Sequence, residues 1–351
     1  MKAHTVVMRA CACAILFGAA VSAHAQQYAL IAFGGQSGTG TEGFGINSWG
    51  EITGGQLLGV AFVYSRGVII PIAPVTQAGS GGFAINDREQ VAGQFSPSPG
   101  VQHAGVYSMH TGSWTDLQVG TSTSAALGIN VEGQVTGEYI TPSGSQHAFI
   151  YTRGEVHDLG SFTQNDAGTS IGSGINILGQ VAGYSLTNLS TGVAHAFLYK
   201  NGFMHDLGTL GGSNSYGYGL NDEGEVVGSS DLGENIGHAF VYRNGIMHDL
   251  GTLDDTVDAP ASVAYAINNR GEIVGKSLTA VGLRAFVYRD GHMLNLNSLV
   301  ACSPLAQYTT LLNAKAINDA GWIVANGFDN RVSVGGARAY LLIPDTRQCR
   351  H

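Results

Sequence analysis

The chain has 351 residues, of which 52 are glycine, 12 % are charged and 44 % are hydrophobic. Glycine at this density argues against a coiled coil or helical bundle, and low charge beside ample apolar material argues against a disordered chain. The formal charge of −9 makes nucleic acid a poor partner for the overall field.

Residues 1–25 read as a secretory signal peptide. Lys2 and Arg9 open it, Ala10 to Val21 form a short apolar run, and Ala23-His24-Ala25 makes a small-x-small cleavage site before Gln26. The run is too short to span a membrane as a helix, and no later stretch is long enough. The expectation is a secreted or periplasmic protein of residues 26–351, a monomer with no transmembrane segment. Removing 1–25 leaves 14 basic against 25 acidic side chains, a net −11. It also removes Cys11 and Cys13 and leaves Cys302 and Cys349. Two cysteines in an exported chain suggest one disulfide, worth roughly 4 kcal/mol on the chain-entropy model for a ring of this size.

From residue 26 onward, repetition dominates. Ile/Leu-Asn dipeptides end at Asn47, Asn86, Asn130, Asn176, Asn221, Asn268 and Asn318, a period near 45 residues. Most copies continue Asn-x-x-Gly, although Glu89 replaces the glycine in the second, and then Gly-x-Val-x-Gly, as in Gly133 to Gly137. After a variable stretch comes an apolar run such as His147-Ala148-Phe149-Ile150-Tyr151. A turn follows (Asn201-Gly202, Asn244-Gly245, Asp290-Gly291), and then Met-His-Asp-Leu, as in Met204 to Leu207. Runs rich in Val, Ile, Phe and Tyr between Gly and Asn are strands, and both turn types suit hairpins. Each copy is therefore expected to be a four-stranded antiparallel meander. Its strands are A, ending at the Asn; B, the Gly-x-Val-x-Gly; C, the His-Ala-Phe-x-Tyr; and D, the Met-His-Asp-Leu. Strand C is apolar on both faces and needs neighbours on both sides. The fold class predicted is all-β, a seven-bladed β-propeller.

The seventh copy lacks strand D. The segment from Tyr28 to Gly35 aligns with His205 to Gly212, a spare strand D, and is expected to close the last blade. A competing segment is Pro344 to Cys349, which would bring Cys349 towards Cys302.

The His-Ala-Phe triplets at 147, 195 and 238, with Gly-x-Val-x-Gly upstream and Asp206 to Gly212 downstream, resemble the HAF family of probable extracellular repeats. The resemblance spans nearly the whole of 26–351 and implies export from a bacterium. It carries over no established activity. Val60 and Arg338 replace the His in the first and last copies, and Tyr340 replaces the Phe.

Tight A–B and C–D turns must share one face of the disc, and the variable B–C and D–A loops the other. Variable loops on a rigid scaffold are where binding concentrates, so the B–C and D–A face is expected to be functional. His103, His147, His195 and His238, with Arg284 and Arg338, precede strand C near that face. They read either as donors for an anionic ligand or as structural groups holding loop carbonyls. The adjacent pairs His157-Asp158, His205-Asp206 and His248-Asp249 point to opposite faces of a strand and suit capping better than metal binding. Asp254, Asp255 and Asp258 interrupt the repeat in a D–A loop. They read as a calcium candidate or as a solvated acidic loop. No cofactor is expected otherwise. Nucleophile elbows, phosphate loops and zinc helices are missing from the sequence. The leading expectation is a non-catalytic binding or adhesion module for glycan or protein at the bacterial envelope. A polysaccharide hydrolase or lyase and a structural envelope component are the alternatives. The enzyme would need a non-repeating cluster of carboxylates with His or Tyr at the channel mouth.

Overall fold

The computed structural model describes residues 26–34, 40–56, 59–72, 79–98, 100–120, 122–163, 167–233, 236–331 and 337–345. The expected leader 1–25 and Cys349 lie outside them.

Seven four-stranded antiparallel sheets follow one another around an axis. Their strands A are Thr41–Ile46, Gly81–Ile85, Ser124–Ile129, Ser170–Ile175, Ser215–Leu220, Ser262–Ile267 and Thr309–Ile317. Each strand A contacts strand A of the next blade, and that of blade 1 contacts that of blade 7. A is therefore the innermost strand and D the outermost. The expected closure is present. Residues Gln27–Phe33 pair antiparallel with strand C of blade 7, Ala337–Asp345, in an unbroken register from Gln27↔Asp345 to Phe33↔Ala339. Pro344 stands opposite Tyr28 within that pairing and does not displace the N-terminal strand.

The core is a set of layers between blades. Strand C supplies a fully buried aromatic in most blades, Phe62, Phe149, Phe197, Phe240 and Phe286. Each layer joins two blades: Ala196, Leu198 and Leu207 of blade 4 pack against Val226 and Phe240 of blade 5. The closing strand serves two layers at once. Tyr28 and Leu30 pack with Val274 and Val287 of blade 6, whereas Phe33 packs with Ile52, Phe62 and Tyr64 of blade 1.

The repeated Asn explains how the ring is tied. Each is buried within an A–B turn. In Asn176, Oδ1 accepts from the Leu178 and Gln180 amides at 3.1 and 3.0 Å, and Nδ2 donates to Gln180 Oε1 at 2.8 Å and to the Asn221 carbonyl at 3.0 Å. All four polar positions of this amide are satisfied. The donation to the next blade recurs from Asn47 to Asn86, Asn130, Asn176, Asn221, Asn268 and Asn318, and returns from Asn318 Nδ2 to the Asn47 carbonyl at 3.0 Å. It is a closed belt of seven inter-blade hydrogen bonds. Asn326 adds a second tie between the last and first blades. Its amide accepts from Gly43 N at 2.9 Å and donates to Gly43 O at 3.0 Å.

Other repeated residues have local causes. Glu89, which replaces the turn glycine, adopts the same left-handed conformation, φ 55°. Strand A carries a β-bulge at the residue third before each Asn, as between Gly217 and Gly219. The bulge turns a strand A carbonyl towards strand B, so a Cβ on Gly228 would lie 1.8 Å from Tyr216 O. The second glycine of Gly-x-Val-x-Gly makes room for that carbonyl in blades 1 to 6, whereas blade 7, with a second bulge between Leu311 and Asn313, carries Ala325 there and has Gly327 against Thr310 O.

Candidate functional site: the inner wall at the loop face

The strand C residues do not converge, because strand C is third from the axis. Each is engaged within its own blade or its immediate neighbour. His147 Nδ1 lies 3.0 Å from both Asp158 oxygens, His195 2.9 Å from Asp206, His238 2.9 Å from Asp249 and His103 2.7 Å from Asp116. The partner is a strand D carboxylate rather than the loop carbonyl expected from sequence. Asp158 Oδ1 also accepts from Gly160 N at 2.8 Å. Gly160 O accepts from Ser170 Oγ at 2.5 Å, and Ser170 Oγ accepts from Ala148 N at 2.8 Å, beside His147. The circuit recurs through Asp206, Gly208 and Ser215 and through Asp249, Gly251 and Ser262. It fastens strand C and the D–A loop of one blade to strand A of the next. Arg284 sits where no aspartate follows, because Asn295 takes that place, and donates to Leu283 O at 2.7 Å. Arg338 donates to Asp329 at 3.0 Å. Asp329 also accepts three bonds from Arg331, from its backbone N, Nε and Nη2, and the Arg331 guanidinium holds its carboxyl down at about 2.

The acidic loop is also occupied. Asp254 accepts from Thr256 Oγ1 and from Ala280 N at 3.0 Å, tying the D–A loop to the B–C turn beside it, and these bonds lower its pKa. Asp255 accepts from Thr252 Oγ1 at 2.6 Å, and Asp258 is exposed. Among the described residues no group of three or more His, Cys, Asp or Glu is placed to hold a metal ion. Cys302 lies with its Sγ 3.7 Å from Gln27 Oε1, at the start of the closing strand.

At the tight-turn face the axis opens into a hollow of about 340 Å³ lined in part by Asp87, Asp222, Asn269 and Asp319. These groups tie adjacent turns together. Asp222 accepts from Ile177 N at 3.1 Å, Asp319 from Asn269 N at 2.8 Å and Asp87 from Ser48 N at 2.8 Å.

Two columns of the repeat vary around the ring. One is the bulge residue of strand A: Phe44, Phe83, Leu127, Ser173, Tyr218, Tyr265 and Lys315, all half-buried. These side chains meet those of adjacent blades. The Phe44 and Phe83 rings lie 6.0 Å apart, Tyr218 and Tyr265 5.8 Å apart, and Lys315 Nζ stands 3.7 Å from the Tyr265 centroid. The other column follows the second glycine of strand B, or Ala325 in blade 7: Gly55, Gln94, Glu138, Tyr184, Ser229, Lys276 and Asn326. Its residues pair with the first part of strand A, towards the D–A loops.

The two columns join into one wall. Tyr184 packs edge-on against Tyr216 with centroids 5.1 Å apart. Burial pushes the Tyr184 phenol up to about 12, reinforced by Glu138, Tyr218 and Tyr216. Burial also raises the Glu138 carboxyl, opposed by a 2.7 Å hydrogen bond from Gln146 Nε2. Tyr216 and Tyr218 are raised chiefly by burial as well. Lys276 Nζ lies 5.8 Å from the same Tyr265 ring that Lys315 covers. From blade 3 to blade 7 the inner wall thus runs Glu138, Tyr184, Tyr216, Tyr218, Tyr265, Lys276 and Lys315, near the variable-loop face. The repeat length and strand C patterns did not single these residues out. Aligning the copies on Asn and looking for columns that vary would have done so.

Fold and site together define a seven-bladed propeller closed by its N-terminal strand, with a tyrosine-rich inner wall. Residues 208–335 match the model of a family described as a protein of unknown function, DUF3466. No curated protein matches. Among solved structures, the β-propeller domain of the Trilobed protease from Pyrococcus furiosus is 9 % identical, covering 89 % of this chain and 98 % of that one with a TM-score of 0.55. An oligogalacturonate lyase in complex with manganese is 11 % identical over 91 % of this chain and 97 % of that one, TM-score 0.56. YCF48 bound to D1 peptide is 10 % identical over 91 % and 97 %, TM-score 0.51. These likenesses show the fold.

Proposed function

We propose that the protein is an exported binding module whose ligand sits against the inner wall at the loop face. The carrying observation is the contrast between columns. Asn, His, Asp, Ser and Gly recur through most blades in turn and packing roles, whereas the wall positions change around the ring: Tyr218, Tyr265 and Lys315 share the bulge column with Phe, Leu and Ser, and Glu138, Tyr184 and Lys276 each occur once in the strand B column. A single asymmetric surface on a rotationally repeated scaffold has no packing reason to differ from blade to blade. Half-buried tyrosines offer apolar faces and polar tips, which suits sugar rings and extended peptides. The propellers similar to this one include a lyase and a peptide complex, so the site chooses the reading and the fold does not. A glycan and peptide array tests it. Saturable binding that Tyr216→Ala removes supports the module, and a blank array points to the structural envelope role.

One observation favours the enzyme as a second reading. Glu138 is held towards its protonated form beside Tyr184, and a raised carboxyl is what general-acid cleavage of a glycosidic bond uses. New reducing ends in a bound polysaccharide, lost in Glu138→Gln, would support it. Binding without cleavage would leave the module.

A further inference from the structure

Resting on that reading, we infer that the ligand is an acidic saccharide whose carboxylate is received by Lys276 and Lys315. From residue 26 onward the chain holds only three lysines against 25 acidic side chains. Two of the three, contributed by blades 6 and 7, meet at one ring, Tyr265, at 5.8 and 3.7 Å from its centroid. Packing does not call for them. The equivalent bulge residue is Phe44, Phe83 or Tyr218 elsewhere, and the residue equivalent to Lys276 is Gly55 or Ser229. Among the described residues Arg88, Arg270, Arg331 and Arg338 are ion-paired with carboxylates. Lys276 and Lys315 have ring contacts and, among the described residues, no such ion pair. Half-buried ammonium groups beside an aromatic ring and free of a carboxylate are a seat for an anion.

The rest of the wall fixes the class of that anion. Tyr184, Tyr216 and Tyr218 lie on neighbouring blades, where they can bear on sugar faces. Of the acidic groups near the wall, one lies away from the lysine blades, one is engaged and one, on blade 1 beside blade 7, is exposed to solvent. Glu138 is in blade 3, and Asp231 in blade 5 accepts from Asn214 N and Nδ2 at 3.1 and 2.9 Å. Glu42 of blade 1 is exposed at the register opposite Gly55. Ammonium groups at one end and a hydroxyl-bonding carboxyl at the other fit a uronic-acid chain, with an acid group on blades 6 and 7 and hydroxyls towards blade 3. A peptide is the competing occupant.

The test is calorimetric titration of the protein with oligogalacturonate and alginate oligosaccharides and with the methyl ester of each. The variants are Lys276→Gln, Lys315→Gln and the double substitution, with Lys200→Gln on strand C of blade 4 as the control. Thermal melts confirm that each variant folds. The inference predicts binding of an acid form, at least about tenfold weaker binding of its ester and of the double variant, and weakening with salt. Equal binding of acid and ester, or full binding by the double variant, overturns it and leaves the binding module standing. Binding of only neutral glycans or only peptides on the array also overturns it while the module survives. No binding in either experiment removes both.

Discussion

At the scale of single residues, the groups that recur and the groups that do not have separate energetic signatures. Glu138 is the clearest case. Its carboxyl is raised by burial, so its charged form is disfavoured in the folded chain. The unfolded group titrates near ~4.3. The folded state therefore loses stability as pH rises through that value towards the folded one. Glu138→Gln is expected to raise the melting temperature at about pH 7 and change it little at about pH 3, read by calorimetry. Asp329 has the opposite sign. With its folded pKa held at about 2 by Arg331 and Arg338, its contribution is complete above ~3.9 and is lost as pH falls towards about 2. Asp329→Asn should accordingly flatten the acid limb of the stability profile between those values. The rim histidines belong with the scaffold. His195→Ala removes one hydrogen bond to Asp206, and chemical denaturation should show a loss of about 1–2 kcal/mol without any change in ligand affinity.

At the scale of elements, the Asn belt and the strand A bulge hold the inner strands together. Asn176→Ala leaves the Gln180 side chain and the Asn221 carbonyl without their donor. The expected cost is about 1–3 kcal/mol, because buried groups lose their partner. Gly228→Ala should cost more, since its Cβ would overlap Tyr216 O at 1.8 Å. This element level was largely legible in the sequence. Periodicity fixed the strands, Asn-x-x-Gly fixed the turns, and the missing strand D in copy seven pointed to the segment Tyr28 to Gly35, within which the closing strand ends at Phe33. The site was less legible for a physical reason. Repetition makes scaffold residues conspicuous, so His103, His147, His195 and His238 drew attention, while their true partners on strand D lie 11 or 13 residues away. Tyr184, Tyr265 and Lys315 carry no motif. Only their place on the axis, and contacts between blades such as Tyr218–Tyr265, make them a site. Spacing left the Asp254 loop open between a calcium candidate and a solvated acidic loop, and it could not show the hydrogen bonds that Asp254 accepts from Thr256 and Ala280.

At the scale of the whole molecule, closure by the first strand couples both ends of the chain to one cooperative ring. Leu30 is buried between blades 6 and 7, and Leu30→Ala is expected to cost about 2–5 kcal/mol and to broaden the thermal transition as blade 7 opens first. A disulfide from Cys302 to Cys349 would pin the same blade, and intact mass before and after reduction reports whether it forms. A stiff ring suits the proposed binding surface, whose residues come from five blades. The measurement that bears most directly on this account compares array binding of the unaltered protein with that of Tyr216→Ala on the inner wall and His195→Ala on the rim. The account predicts saturable binding that the wall variant loses and the rim variant keeps. Binding lost in His195→Ala and retained in Tyr216→Ala would contradict it.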